Sequence, residues 1–203
     1  MVSLVVGTVL SFLVGSIPTA YLVGRFVCGM DIRKHGSGNV GATNVFRVVG
    51  KKWGIGVLAF DITKGFLAVS FFPTLITTGQ VSYLMLQIIF GFAAIAGHTW
   101  TPWLGFRGGK GVATSASVFL ALTLKAAVGS ILVWTVIFYW KRYVSFASLL
   151  TALSFPLWVY FFYAKTESFA LLFPISLFVP IFIFYTHREN IRRIIRGEEK
   201  RLL

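Results

Sequence analysis

Residues 4–24 read LVVGTVLSFLVGSIPTAYLVG, 21 residues without a charged side chain. Backbone polar groups cannot be left unpaired in hydrocarbon, so such a segment crosses a bilayer as a helix, and roughly 20 helical residues span the roughly 30 Å required. Residues 83–97, YLMLQIIFGFAAIAG, repeat the pattern. Both runs are continuously apolar rather than alternating, which excludes the strands of a membrane β-barrel. Composition agrees: 57% of the 203 residues are hydrophobic and 12% charged, more apolar than a water-solvated globule of this length sustains. Residues 2–24 lack a basic start and run into Arg25 rather than a small-residue cleavage site, so they are expected to stay as a first helix.

The apolar stretches are approximately 2–24, 53–75, 80–97, 111–124, 126–140, 146–164 and 168–186. They predict an all-α integral membrane protein, a compact bundle of about seven transmembrane helices forming one domain over residues 1–203. The pair 111–124 and 126–140 is the weak point, because each is shorter than a full crossing and Lys125 alone separates them. Tilt, local thinning or a re-entrant path would accommodate it. Of 19 lysines and arginines, six lie in 25–52, two in 98–110, two in 141–145 and six in 187–203, which are every second connection. The others, TTGQ at 77–80, Lys125 and KTES at 165–168, are short and nearly neutral. The positive-inside rule then places the N-terminus outside and the C-terminus in the cytoplasm. With attraction to anionic lipid headgroups, that topology accounts for the net charge of +13 without a nucleic acid.

The first inside loop contains HGSGNVGATNVFRVVGKK at 35–52, where Gly36, Gly38 and Gly41 are interleaved with Ser37, Asn39, Thr43 and Asn44. Glycines let successive backbone N–H groups turn toward one concavity, and a short helix begun by the following residues would point its N-terminus at the same anion. Arg47 follows Asn44 by three residues, on the same helix face. The second inside loop, GHTWTPWLGFRGGKGVATS at 97–115, surrounds Lys110 with Gly108, Gly109 and Gly111. Leu104 and Gly111 stand where a nucleotide-binding P-loop needs a glycine and a Ser or Thr, so ATP binding is not supported, but backbone donors plus Lys110 suit a phosphate.

A third element is split between KRYVS at 141–145 and THRENIRR at 186–193. His187 and Asn190, three residues apart, would be presented together by a continuing helix, with Arg142 and Ser145 approaching the same mouth. Asp61 and Lys64 lie inside the apolar second stretch at a spacing that lets them pair, and a structural ion pair is expected, since an uncompensated charge there costs about 3 kcal/mol, with a supporting role for Lys64 beside the anion site as the alternative. Cys28 is the only cysteine, so no intramolecular disulfide or thiolate cluster can form, and three scattered histidines give no metal cage; no metal or cofactor is expected. No G-x-S-x-G elbow occurs, and Cys28 has no histidine near it in sequence, which argues against an acyl-enzyme. Two anion cradles on one membrane face, with lipid beside them, predict a transferase joining a phosphorylated cytosolic molecule to an amphipathic one. The base for an attacking hydroxyl stays open between His98, His187 and a substrate's own phosphate.

Through GSGNVGATNVFR at 36–47, AGHTWTPWLGFRGGKGVATS at 96–115 and THRENIRR at 186–193, the chain resembles the bacterial membrane glycerol-3-phosphate acyltransferases of the acyl-phosphate-dependent PlsY family. The resemblance covers essentially the whole chain. It implies transfer of a fatty acyl group from acyl phosphate to the sn-1 hydroxyl of glycerol 3-phosphate, giving lysophosphatidic acid and inorganic phosphate. The implied location is the bacterial cell membrane, with the active site facing the cytoplasm. Carried over position by position, the family's first motif falls on Ser37 and Arg47, supported by Gly38, Asn39 and Asn44. Its second falls on Gly108, Gly109, Lys110 and Gly111, with His98 upstream, and its third on Arg142, Ser145, His187, Asn190 and a structural Glu189. Soluble-type glycerol-phosphate acyltransferases place Asp five residues after a His; here Val40, Trp103 and Arg192 occupy those positions, which excludes that chemistry. The competing class is a transporter for an organic phosphate, but no comparable polar site stands on the opposite face and no internal repeat is evident.

Overall fold

The computed structural model describes residues 2–76 and 81–202, and every regular element among them is helical. Two compact units divide the chain, Met1–Leu122 and Thr123–Leu203.

The first unit begins with α1 (Val2–Ser16) and α2 (Thr19–Cys28), which together make one apolar length from Ser3 to Cys28. The break between them falls at Ile17 and Pro18, because proline has no N–H to donate and its ring crowds the carbonyl four residues back. After a 3-10 turn at Ile32–Lys34 come α3 (Ala42–Val48) and α4 (Lys51–Ser70). α4 is 20 residues long, about 30 Å, enough to cross a membrane. α5 (Tyr83–Thr99) starts at Ser82, whose hydroxyl accepts the Met85 N–H at 3.3 Å. α6 (Val112–Leu122) closes the unit, with α1 packed chiefly on α5 and α4 on α6.

The second unit holds α7 (Leu124–Lys141), α8 (Val144–Tyr163), α9 (Phe169–Thr186) and α10 (Arg188–Ile195). α8 packs on both α7 and α9, and the Trp134 indole of α7 donates to the Ser148 hydroxyl of α8 at 3.2 Å. Arg142, with φ 62°, ends α7 and turns the chain directly into α8.

Six helical segments among the described residues are long and apolar enough to span a membrane, with one shorter apolar helix. Of the two doubtful stretches, 126–140 extends into the full-length α7, whereas 111–124 yields only the 11 residues of α6, about 16 Å. A glycine-rich loop consumes the chain before α6, and Thr123 separates it from α7. The TTGQ connection at 77–80 and the start of the expected 80–97 span lie outside the described residues.

Candidate phosphate site

The first glycine loop is wound around one side chain. Asn44, on α3 and 1% exposed, donates its amide to the carbonyls of Ile32 (3.2 Å) and His35 (3.0 Å), while its Oδ1 accepts the Ser37 N–H at 2.8 Å. Gly36 has φ +64°, and any Cβ there would run into the Asn44 amide oxygen, so both conformation and space demand glycine. At the loop's entry Asp31 accepts from the Arg33 guanidinium at 2.7 Å, and that hydrogen bond holds its carboxyl down at about 2. The amide of Asn44, expected from the sequence as a substrate ligand, is engaged on both sides and clasps the inside of the loop. Ser37 is held through its backbone, which leaves the half-buried hydroxyl outside the clasp. Asn39 and Arg47 are half-buried and Gly38 exposed, on the same loop and helix.

The second loop is bolted to the end of α5. Gly108 donates its N–H to the Thr99 carbonyl at 2.9 Å, and Gly109 to the His98 carbonyl at 3.0 Å. Those two amides were expected to cradle an anion, and here they are spent on holding the loop. The two glycines serve close approach: a Cβ on Gly108 would enter the His98 carbonyl, and one on Gly109 would enter the His98 ring at Nε2. The half-buried Lys110 and buried Gly111 continue from that anchor into α6.

These two loops come together within the first unit. Leu104 of the second loop shares an apolar core with Ile32, Val40 and Val45 of the first and with Ala20 and Val57 of the helices beneath. The Val40 carbonyl also lies against Gly109. Val40, Gly108 and Gly109 line a small recess with Ile17, Asp61, Lys64 and His98. At its base Lys64 Nζ is 2.8 Å from Asp61 Oδ1, the ion pair expected from the sequence.

In the second unit, Glu199 is the organising group, and the sequence reading missed it. Its Oε1 accepts from the Ser145 hydroxyl (2.6 Å) and the Asn190 amide (2.7 Å), and its Oε2 from Arg193 Nε (2.8 Å). Burial pushes this carboxyl up, but the bonds from Ser145, Arg193 and Asn190 prevail and hold it below its ordinary value. The tail is tied again where Leu202 donates to the Arg142 carbonyl at 3.0 Å. Glu189, expected to be structural, is exposed and bonds Arg192 three residues on. His187 and Asn190 do not share a continuing helix: His187, with φ −100° and ψ 7°, is the joint between α9 and α10. Both are nonetheless buried, at 2% and 4% exposed. His187 Nδ1 lies 2.8 Å from the Ile183 carbonyl, which can only accept, so Nδ1 carries a proton.

Residues 5–197 match the family profile described as glycerol-3-phosphate acyltransferase. A glycerol-3-phosphate acyltransferase of Desulforudis audaxviator (strain MP104C) is 42% identical over 208 residues, covering 98% of this chain and 95% of that one. One from Prochlorococcus marinus (strain MIT 9215) is 38% identical over 192 residues, covering 95% and 94%. Among solved structures, the glycerol 3-phosphate form of PlsY (YgiH), an integral membrane glycerol 3-phosphate acyltransferase, is 37% identical with a TM-score of 0.82, covering 98% of this chain and 95% of that one. Its lysophosphatidic acid form superposes with a TM-score of 0.79. Helical architecture, glycine loops and near full-length similarity thus converge, and the chain belongs to the PlsY family of membrane glycerol-3-phosphate acyltransferases.

Proposed function

We propose that the protein transfers a fatty acyl group from acyl phosphate to the sn-1 hydroxyl of glycerol 3-phosphate, without an acyl-enzyme, at the cytoplasmic face of a bacterial cell membrane. The observation that carries this reading is the packing of two glycine loops bearing Ser37, Arg47 and Lys110 against each other in the first unit. Relatives in the same family are glycerol-3-phosphate acyltransferases, and a solved relative is described in forms with glycerol 3-phosphate and with lysophosphatidic acid.

An acyl phosphate is a mixed anhydride whose leaving group is already a stable anion, so the protein has mainly to position and neutralise. In this reading Ser37, the neighbouring Asn39 amide, Lys110 and the Gly111 amide hold the acyl phosphate. Gly108 and Gly109 fix the loop, as their bonds to Thr99 and His98 indicate. Arg47 and Lys110 orient glycerol 3-phosphate. The sn-1 oxygen attacks the acyl carbon, the carbon–oxygen bond to phosphate breaks, and the hydroxyl proton passes to a substrate phosphate, whose second pKa of about 6 suits it as a base at neutral pH. The His98 ring, 8% exposed and lodged against Gly109, is poorly placed for that task. The inward bias of basic residues supports the cytoplasmic assignment.

Ser37→Ala, Arg47→Ala and Lys110→Ala test the assignment in purified, folded protein. Each is expected to lower kcat/KM for lysophosphatidic acid formation by about a hundredfold, the scale of one lost donor to a developing charge. Wild-type kinetics in all three variants would overturn the site, and an acyl-protein adduct trapped in a single turnover would overturn direct transfer.

A further inference from the structure

Beneath the second loop lies a set of buried polar groups that the transfer chemistry does not use. Asp61 is 3% exposed, Lys64 2% and His98 8%. Lys64 Nζ, besides its pairing with Asp61, donates to the Ile17 carbonyl at 3.4 Å, where Pro18 interrupts the first span. His98 Nδ1 is 3.6 Å from the same Asp61 oxygen that Lys64 holds. The opposite edge of the imidazole, at Nε2, abuts Gly109. Thr114, on α6 just beyond the loop, donates its hydroxyl to the Asp61 carbonyl at 3.2 Å. One short stretch of α4 therefore touches the break in the first span, the His98 ring and the helix that leaves the glycine loop.

Three ionisable groups in a membrane helix bundle are an expensive way to fill space. An apolar trio of similar volume would pack without the desolvation cost of the ion pair. What an apolar trio cannot do is set a ring orientation. A carboxylate 3.6 Å from Nδ1 electrostatically favours a proton on that nitrogen and the ring orientation that turns it toward Asp61. The fixed ring is then the surface on which Gly109 rests, while Gly108 and Gly109 hang from the backbone of the same α5 residues. Lys110 follows immediately, so the height of Gly109 sets where the Lys110 ammonium and the Gly111 amide are aimed.

We propose that Asp61 and His98 are positioning residues for acyl transfer: Asp61, held by Lys64, orients the His98 ring, and the ring seats the Gly109–Gly111 segment against the phosphate of the acyl donor. This rests on the reading that Lys110 receives that phosphate. Neither residue touches a reacting atom. The group served is the donor phosphate, so affinity for the donor, more than for glycerol 3-phosphate, depends on the network.

Asp61→Asn alone would strand the Lys64 charge and could unfold the protein, so the test uses the neutral pair Asp61→Asn with Lys64→Met, and His98→Ala beside His98→Gln. Lysophosphatidic acid formation is measured with acyl phosphate and glycerol 3-phosphate varied in turn, and binding of inorganic phosphate is measured by calorimetry in detergent. Expected are thermal unfolding of the neutral pair within a few degrees of wild type, a KM for acyl phosphate raised tenfold or more, and a KM for glycerol 3-phosphate within about twofold. His98→Gln, which keeps a polar planar group in the space, is expected to recover part of what His98→Ala loses, and phosphate binding is expected to weaken in parallel with the donor KM. A folded neutral pair with wild-type constants for both substrates would overturn the proposal, as would an equal rise in both KM values. If wild-type protein neither turns over acyl phosphate nor binds phosphate, the functional reading itself fails and the positioning role falls with it. Phosphate binding that is lost in Lys110→Ala but unchanged in the Asp61 and His98 variants would overturn the positioning role alone.

Discussion

Glu199 gathers Ser145, Asn190 and Arg193 around one carboxylate, whereas the Glu189 carboxylate meets Arg192 with both side chains more than half exposed. Charge-assisted hydrogen bonds in a partly buried cluster are worth about 1.5–3 kcal/mol each, and an exposed i,i+3 pair about 0–1 kcal/mol. Glu199→Gln is therefore expected to lower the unfolding midpoint in detergent measurably, by several degrees, while Glu189→Gln stays within about 0.5 kcal/mol of wild type. Equal effects would show that the tail clasp is not what holds Asn190 and Ser145. The cluster also carries a pH signature. The folded Glu199 carboxyl titrates below its ordinary value, so its contribution is complete above the unfolded value of about 4.3 and fades as pH falls through the lower folded value. The stability gap between wild type and Glu199→Gln is expected to be flat near neutrality and to close in acid, as followed by thermal unfolding across pH. Nothing in local spacing points from Ser145 to a glutamate 54 positions away; only Gly197, with φ +72°, marks the turn that brings the tail back.

Helices in the first unit approach one another through glycine. At Gly15 of α1 an added Cβ would overlap the Ala94 backbone of α5, and at Gly97 of α5 it would overlap the Phe12 carbonyl of α1. Close backbone approach replaces the hydrophobic drive that lipid removes. Gly56 of α4 meets nothing within 4 Å. Gly15→Ala is expected to destabilise by about 1–3 kcal/mol through overpacking, and Gly56→Ala to stabilise by about 0.5–1 kcal/mol through helix propensity. Unfolding in mixed micelles reads both, and a neutral Gly15→Ala would contradict the close packing of α1 on α5. Existence and helicity of the spans were legible in the uninterrupted apolar runs, since lipid leaves few other solutions. Their breaks were less so. Pro18 interrupts the first span, but Pro156, Pro174 and Pro180 lie inside α8 and α9, so proline alone does not mark an end. α6 is cut short by a loop whose form depends on α5 carbonyls 10 residues or so upstream, beyond the reach of hydropathy.

At the scale of the molecule, the proposed topology puts every second connection in the cytoplasm on the strength of its basic residues, and the second unit offers a direct check. In a Cys28→Ser background, Thr166→Cys is expected to react with an impermeant thiol reagent in intact cells, and Lys200→Cys only after permeabilisation. The reverse pattern would invert the topology and detach the glycine loops from the cytosolic substrate. Site residue types were legible for a physical reason: glycines interleaved with Ser, Asn, Arg and Lys serve no purpose in a lipid-facing turn. Their division of labour was not. Whether Asn44 faces a ligand or its own loop, and whether Gly108 and Gly109 offer their amides or spend them, depends on contacts across 7 to 12 residues or between helices. The account turns on the acyl donor. Purified protein incubated with glycerol 3-phosphate and either acyl phosphate or acyl-CoA is expected to form lysophosphatidic acid from acyl phosphate alone, with one phosphate released per product; product from acyl-CoA alone, or from neither donor with folded protein, would contradict it.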